Sequence, residues 1–226
     1  MKGSSAVLIH GLYLGVPDWH AIMIGESAYG KEGRILRGLK IAYEENAHQI
    51  FWGTGASEMD GVKEGQYIYD YALAHLPLIA EHLNANILLV KHFIESRSVI
   101  NTETKNTREE IGAVMKVLAR YDIKQLFIVS SPTHGGRCFT EGEVLRLSRE
   151  FAPQQVRIFA TGSDVSYEGS SPKDVVIIEP PHRGDRVHEY PLSVTARKAM
   201  RLSRSPQGVE FLKALSEFVD SWAENK

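Results

Sequence analysis

One cysteine in 226 residues, Cys138, excludes any disulfide within the chain and any multi-cysteine zinc knuckle, and it agrees with a reducing compartment. An excess of one charge is missing as well. Against 26 Lys and Arg stand 28 Asp and Glu, the formal net charge is -2, and no long basic or acidic run offers a footprint for nucleic acid. No apolar run is long enough to span a bilayer, and the first of them, 6–9, stops at His10-Gly11 and makes a poor signal peptide. Repeats, linkers and low-complexity segments are absent too. These absences leave a cytoplasmic protein with a small anionic molecule as its partner and neither nucleic acid nor membrane.

What the chain does have is 43% hydrophobic residues, enough for one sizeable core. Apolar runs at 6–9, 48–52, 87–90, 125–130, 156–160 and 175–178 read as strands, most of them covered on both faces. Helical spacing fills the intervals: 33–46, 60–74, 77–83, from Asn106 or Thr107 to near 121, and 137–150. Helices near 193–204 and 208–223 close the chain. The last carries Val209, Phe211, Leu212, Leu215, Phe218, Val219 and Trp222 on one broad face, which packs on the sheet or on a second copy in a homodimer. Alternating strands and helices predict one α/β domain over 1–226, with a mainly parallel sheet and C-terminal helices from about 193.

The stretch 125–137 turns from an apolar strand into the polar turn Ser130-Ser131-Pro132-Thr133-His134, with Arg137 opening a helix. Ligands of parallel α/β sheets collect at the carboxyl ends of strands, where helix N-termini present N–H groups to anions. His134 suits proton transfer at neutral pH, and Arg137 suits an anion clamp. Gly53-Thr54-Gly55 ends the second strand and lets a backbone approach a ligand, or makes a plain strand-to-helix turn. A long loop, 12–33, carries Asp18, Trp19 and His20 beside the first strand's end, either as ligand contacts or as a lid packed on Trp19. Asn106 or Thr107 caps the following helix with Glu109 and Glu110 in its first turn, while Glu95, Asn101 and Thr102 suggest a polar wall. Cys138 reads as a buried packing residue more readily than as a nucleophile. Glu95, Glu109 and Glu110 with His134 show no spacing diagnostic of a divalent metal, and no metal ligand is assigned.

Gly11, Arg34-Ile35 with Gly38-Leu39, Gly53-Thr54-Gly55, Glu64-Gly65, Asn106-Thr107-Arg108-Glu109-Glu110 and Val129 to Cys138 follow one another in an order that resembles the YdcF, SanA and ElyC-like family of bacterial proteins, over residues 6–150. The fifth block closes on Glu110 where that family has Asn, and the family's upstream Glu falls on Glu95 or Glu103. The resemblance implies a Rossmann-like three-layer fold. It also implies a site built from Gly11, Gly53, Thr54, Gly55, Glu64, Asn106, Thr107, Glu109, Ser130 and Ser131 around His134, Arg137 and Glu95. S-adenosylmethionine or a nucleotide is the cofactor class it suggests. The resulting expectation is an enzyme that hydrolyses or transfers a group on a nucleotide-like or phosphorylated metabolite. The alternatives are a non-catalytic S-adenosylmethionine or nucleotide binder and an accessory protein of a biosynthetic pathway.

Overall fold

The computed structural model describes residues 4–26, 30–165 and 206–224. The chain forms two compact units, Met1–Ser170 and Ser171–Lys226. In the first unit the elements run β1 (Ser5–Ile9), α1 (Trp19–Met23), β2 (Gly25–Glu26), β3 (Lys31–Glu32), α2 (Arg34–Glu44), β4 (Gln49–Trp52), β5 (Glu58–Met59), β6 (Val62–Lys63), α3 (Glu64–Ala74), α4 (Leu76–His82), α5 (Ile87–Arg97), β7 (Ser98–Ile100), α6 (Thr107–Arg120), β8 (Gln125–Ser130), α7 (Pro132–Arg146) and β9 (Arg157–Gly162). Of the second unit, helix α8 (Pro206–Glu224) is described. The strand expected at 175–178 and the helix expected at 193–204 lie outside the described residues.

The central sheet has five strands in the order β7-β4-β1-β8-β9, all parallel. Pleat alternation divides its side chains between two cores. Val7, Ile9, Ile50, Trp52 and Val129 pack on one face with α2 to α5, while Ala6, Leu8, Phe51, Leu126, Ile128 and Ile158 pack on the other with α6 and α7. The result is the Rossmann-like three-layer α/β fold. The pairs β2–β3 and β5–β6 are short antiparallel ribbons in connections that leave the strand ends. Among the described residues no helix is long and apolar enough to cross a membrane.

Two expectations are corrected. Residues 87–90, expected as a strand, form the first turn of α5, whose N-cap Asn86 accepts from the amides of Leu88 and Leu89. Four apolar residues in a row do not by themselves distinguish strand from helix. Only Val90 of the four is buried, and the strand of this crossover is instead β7, three half-buried residues beside β4. The second correction moves the start of α7 to Pro132, five residues earlier than expected. Proline at the first helical position has its φ already set and lacks only an N–H that no helical carbonyl would have accepted. Gly135 and Gly136 then continue the helix, so His134 and Arg137 stand in its opening turns and not on a loop.

Candidate functional site

The strand order places a topological switch between β1 and β8. From β1 the chain steps to β4 and β7 on one side, then returns to β8 on the other. Helix α2 after β1 and helix α7 after β8 therefore cover opposite faces, and the position at which such sheets form their ligand crevice lies at the carboxyl ends between them. His10 and Gly11 follow β1 into it, and Ser130, Ser131 and His134 enter from β8 and α7.

His10 continues the alternation of Ala6 and Leu8, so its ring lies on the α6 and α7 side. Its Nδ1 is 2.9 Å from the Gly11 carbonyl oxygen, which can only accept, so Nδ1 carries a proton. Its Nε2 is 3.1 Å from Glu110 Oε2 and 3.3 Å from Thr107 Oγ1. Both partners of the His10–Glu110 pair are buried, with side chains 4% and 0% exposed, so a proton must sit between the two acceptors on one or the other. Thr107 Oγ1 also lies 3.4 Å from His134 Nε2, and the two histidine rings meet edge to face at 4.7 Å. One helical turn beyond His134, Cys138 comes to the same place: His10, His134 and Cys138 each offer a metal-ligating atom, all within 4.8 Å of one another.

Behind β1, on the other face, Arg34 opens α2 with its side chain 1% exposed. Nε and one terminal nitrogen donate to Ser131 Oγ at 3.0 and 2.9 Å, and the other terminal nitrogen donates to the carbonyl oxygens of His10, at 3.1 Å, and Gly11. Among the described residues no carboxylate pairs with this guanidinium. The Ser131 hydroxyl, occupied by Arg34, does not cap α7. Ser130 Oγ is fully buried and has no hydrogen-bond partner among the described residues.

Of the residues expected in the site, His134, Thr107, Ser130, Ser131 and Gly11 gather at this crevice, and Glu64 adjoins it. A Cβ on Gly11 would collide with the Glu64 carboxylate, which accepts from Ser57 Oγ and is held there by the Leu14 amide on the same hydroxyl. Gly53 has φ 55°, and a Cβ on it would meet Gly65 Cα at 2.6 Å. A Cβ on Gly55 would strike the Thr102 carbonyl, while the Gly55 amide donates to Thr104 at 2.7 Å. The close approach these two glycines permit is thus to the chain's own backbone. Thr54 is buried between them and caps the Ala56 amide.

Asn106 and Glu109 form the N-terminal cap of α6. Asn106 Oδ1 accepts from the Glu109 amide at 2.9 Å, and the Glu109 carboxylate accepts from the Lys105 amide and Asn106 Nδ2. Glu95 is exposed on α5 and pairs with Lys91 at 3.7 Å, and Glu103 is exposed as well, so neither joins the crevice. Arg137 is half-buried on α7, and the fully buried arginine of the site is Arg34.

His10, Arg34, Glu110 and Cys138 were not assigned to the site from the sequence. His10 carried a signal, a histidine placed directly after the first apolar run. Arg34 stood in the second block of the family resemblance with no role attached, because its burial depends on a strand order that the sequence does not display. Compared with protein-family models, curated proteins and solved structures, the chain has no match.

Proposed function

We propose that the protein is an enzyme that binds a nucleotide-like or phosphorylated small metabolite at the β1–β8 switch point and catalyses its hydrolysis or a group transfer. The observation that carries this reading is Arg34, a buried guanidinium whose partners among the described residues are a hydroxyl and two carbonyls. A buried cation without a counter-ion is costly, and a bound anion supplies the missing charge. Ser131 stands beside it, its hydroxyl accepting from Arg34 and keeping its own proton to donate.

His134 and His10 carry the proton chemistry. Glu110 orients His10 and shares a proton with it, and Thr107 joins the two rings, so a proton delivered to one has a hydroxyl path to the other. These groups are shut off from water, with His10, Arg34 and His134 3%, 1% and 2% exposed. Ligand entry therefore accompanies an opening of the connections around the strand ends, and closure over the ligand excludes water.

His134→Ala tests the reading once a ligand has been found by its effect on thermal stability. An enzyme loses turnover by about two orders of magnitude or more and keeps most of its binding. A change in affinity alone, with no turnover in the parent, assigns the protein to the non-catalytic binders.

A further inference from the structure

We propose that His10, His134 and Cys138 bind one transition-metal ion of the zinc class. The binding follows from side-chain placement alone, and only its catalytic consequence rests on the enzyme reading above. All three side chains are buried, and their ligand atoms lie within 4.8 Å of one another. With bonds of about 2.0–2.3 Å, donors around a tetrahedral zinc sit about 3.3–3.8 Å apart, so rotations that move the side chains by about an ångström complete the set.

His134 and Cys138 are i and i+4 on α7 and share one face without any loop to reorder. His10 already has the orientation of a ligating histidine. Its Nδ1–H is held by the Gly11 carbonyl, which leaves Nε2 to face the interior. That nitrogen meets the Glu110 carboxylate at 3.1 Å, two acceptors that need a proton or a cation beside them. A divalent ion answers this directly, since the Cys138 thiolate and the Glu110 carboxylate together cancel its charge.

The fully buried Ser130 hydroxyl, unpartnered among the described residues, lies by pleat alternation on the same face as His10 and can bond a water in the fourth position. Two imidazoles and a thiolate select zinc or cobalt(II) over magnesium or calcium. With the ion in place both histidines are ligands, and their part in proton transfer passes to the bound water, which gives one proton to Glu110 and is left as hydroxide.

The test is titration of the tag-free full chain, stripped with a chelator, with Co²⁺ and then Zn²⁺. One ion per chain is expected, with a thiolate-to-cobalt charge-transfer band in the near ultraviolet that Zn²⁺ abolishes by displacement. Cys138→Ala, checked for folding by circular dichroism, loses the band. Its affinity falls by more than the about 10–100-fold that loss of a partner behind a ligand costs. Cys138→Ser, closer in volume, gives the same readout if the alanine variant does not fold, and His92→Ala, exposed on α5, changes nothing. No uptake at micromolar metal, or a metal affinity unchanged in both Cys138 variants, overturns the proposal. Anion binding by the stripped protein, with its dependence on Arg34, is measured in parallel. Its survival without metal uptake leaves the enzyme reading standing, and its absence beside metal uptake leaves a metal site and removes that reading.

Discussion

Arg34→Met separates a ligand-binding arginine from a structural one, because the two roles predict different changes in stability. Without the guanidinium, the Gly11 carbonyl is still bonded to His10 Nδ1, while the His10 carbonyl and Ser131 Oγ must find other partners. Each group left unsatisfied costs about 1–3 kcal/mol. Against this, the variant is relieved of a buried charge that has no carboxylate partner among the described residues, whose desolvation costs several kcal/mol, and puts a methionine in its place. The difference for the ligand-free protein therefore falls within about 2 kcal/mol of zero. Anion binding responds very differently. The charge-assisted hydrogen bond from the one guanidinium N–H that Ser131, His10 and Gly11 leave over, at about 1.5–3 kcal/mol, is lost, which at about 1.4 kcal/mol per tenfold weakens binding by at least about tenfold. Equilibrium urea unfolding reads the first quantity and titration calorimetry, with a ligand found by thermal shift, reads the second. A stability loss of about 3–5 kcal/mol, the usual result of breaking a buried ion pair, together with unchanged affinity, would refute the reasoning and make Arg34 a structural peg.

Three further outcomes follow from the same geometry. Gly53→Ala forces a side chain into φ 55° and against Gly65 Cα at 2.6 Å, and should cost about 2–5 kcal/mol in urea unfolding. Asn106→Ala removes the α6 cap and should cost about 1 kcal/mol while leaving ligand affinity unchanged. An affinity loss there would return Asn106 to the ligand. Asp164 accepts from the Glu32 amide and pairs with Arg37, and these, with Lys40, hold its carboxyl below the usual carboxylate range, the Glu32 amide contributing most. Because the folded value is the lower one, this stabilisation is present above the unfolded value near pH 4 and is lost as pH falls through the folded value. Asp164→Asn should therefore lower stability at pH 7 by less than about 1 kcal/mol, given its exposure. The gap between variant and parent in urea midpoint should narrow in acid.

The parallel sheet was legible because β1, β4 and β8 are runs of apolar residues covered on both faces, and such runs survive any arrangement of the strands, while β9 showed as a further apolar run although it lies exposed at the edge. β7 was not, since Ser98, Val99 and Ile100 are only half-buried at the sheet edge and follow directly on a helix. The exposed Leu88 and Leu89 imitate a strand core in composition while lying at a helix start. Of the candidate site, the β8 side was legible, because Ser130, Ser131 and His134 lie in one short stretch of sequence. The β1 side was not, because what makes His10 and Arg34 partners of that segment is the return of the chain to β1's other edge. Spacing along the sequence does not encode that return. Asn106 and Thr107 show the same limit within one motif: adjacent residues, one turned outward into a cap and the other inward between two histidines.

On the proposed function, a small anion and the histidine pair share one site at the β1–β8 switch point. Titration of the ¹⁵N-histidine-labelled chain with whichever nucleotide, sugar phosphate or S-adenosylmethionine stabilises it, followed through ring-nitrogen resonances assigned by single His→Gln variants, tests this directly. The account predicts that the His10 and His134 ring nitrogens shift together, in step with binding, while those of exposed His92 stay in place. A stabilising ligand that leaves both rings unmoved would contradict it, as would a panel in which no anion binds.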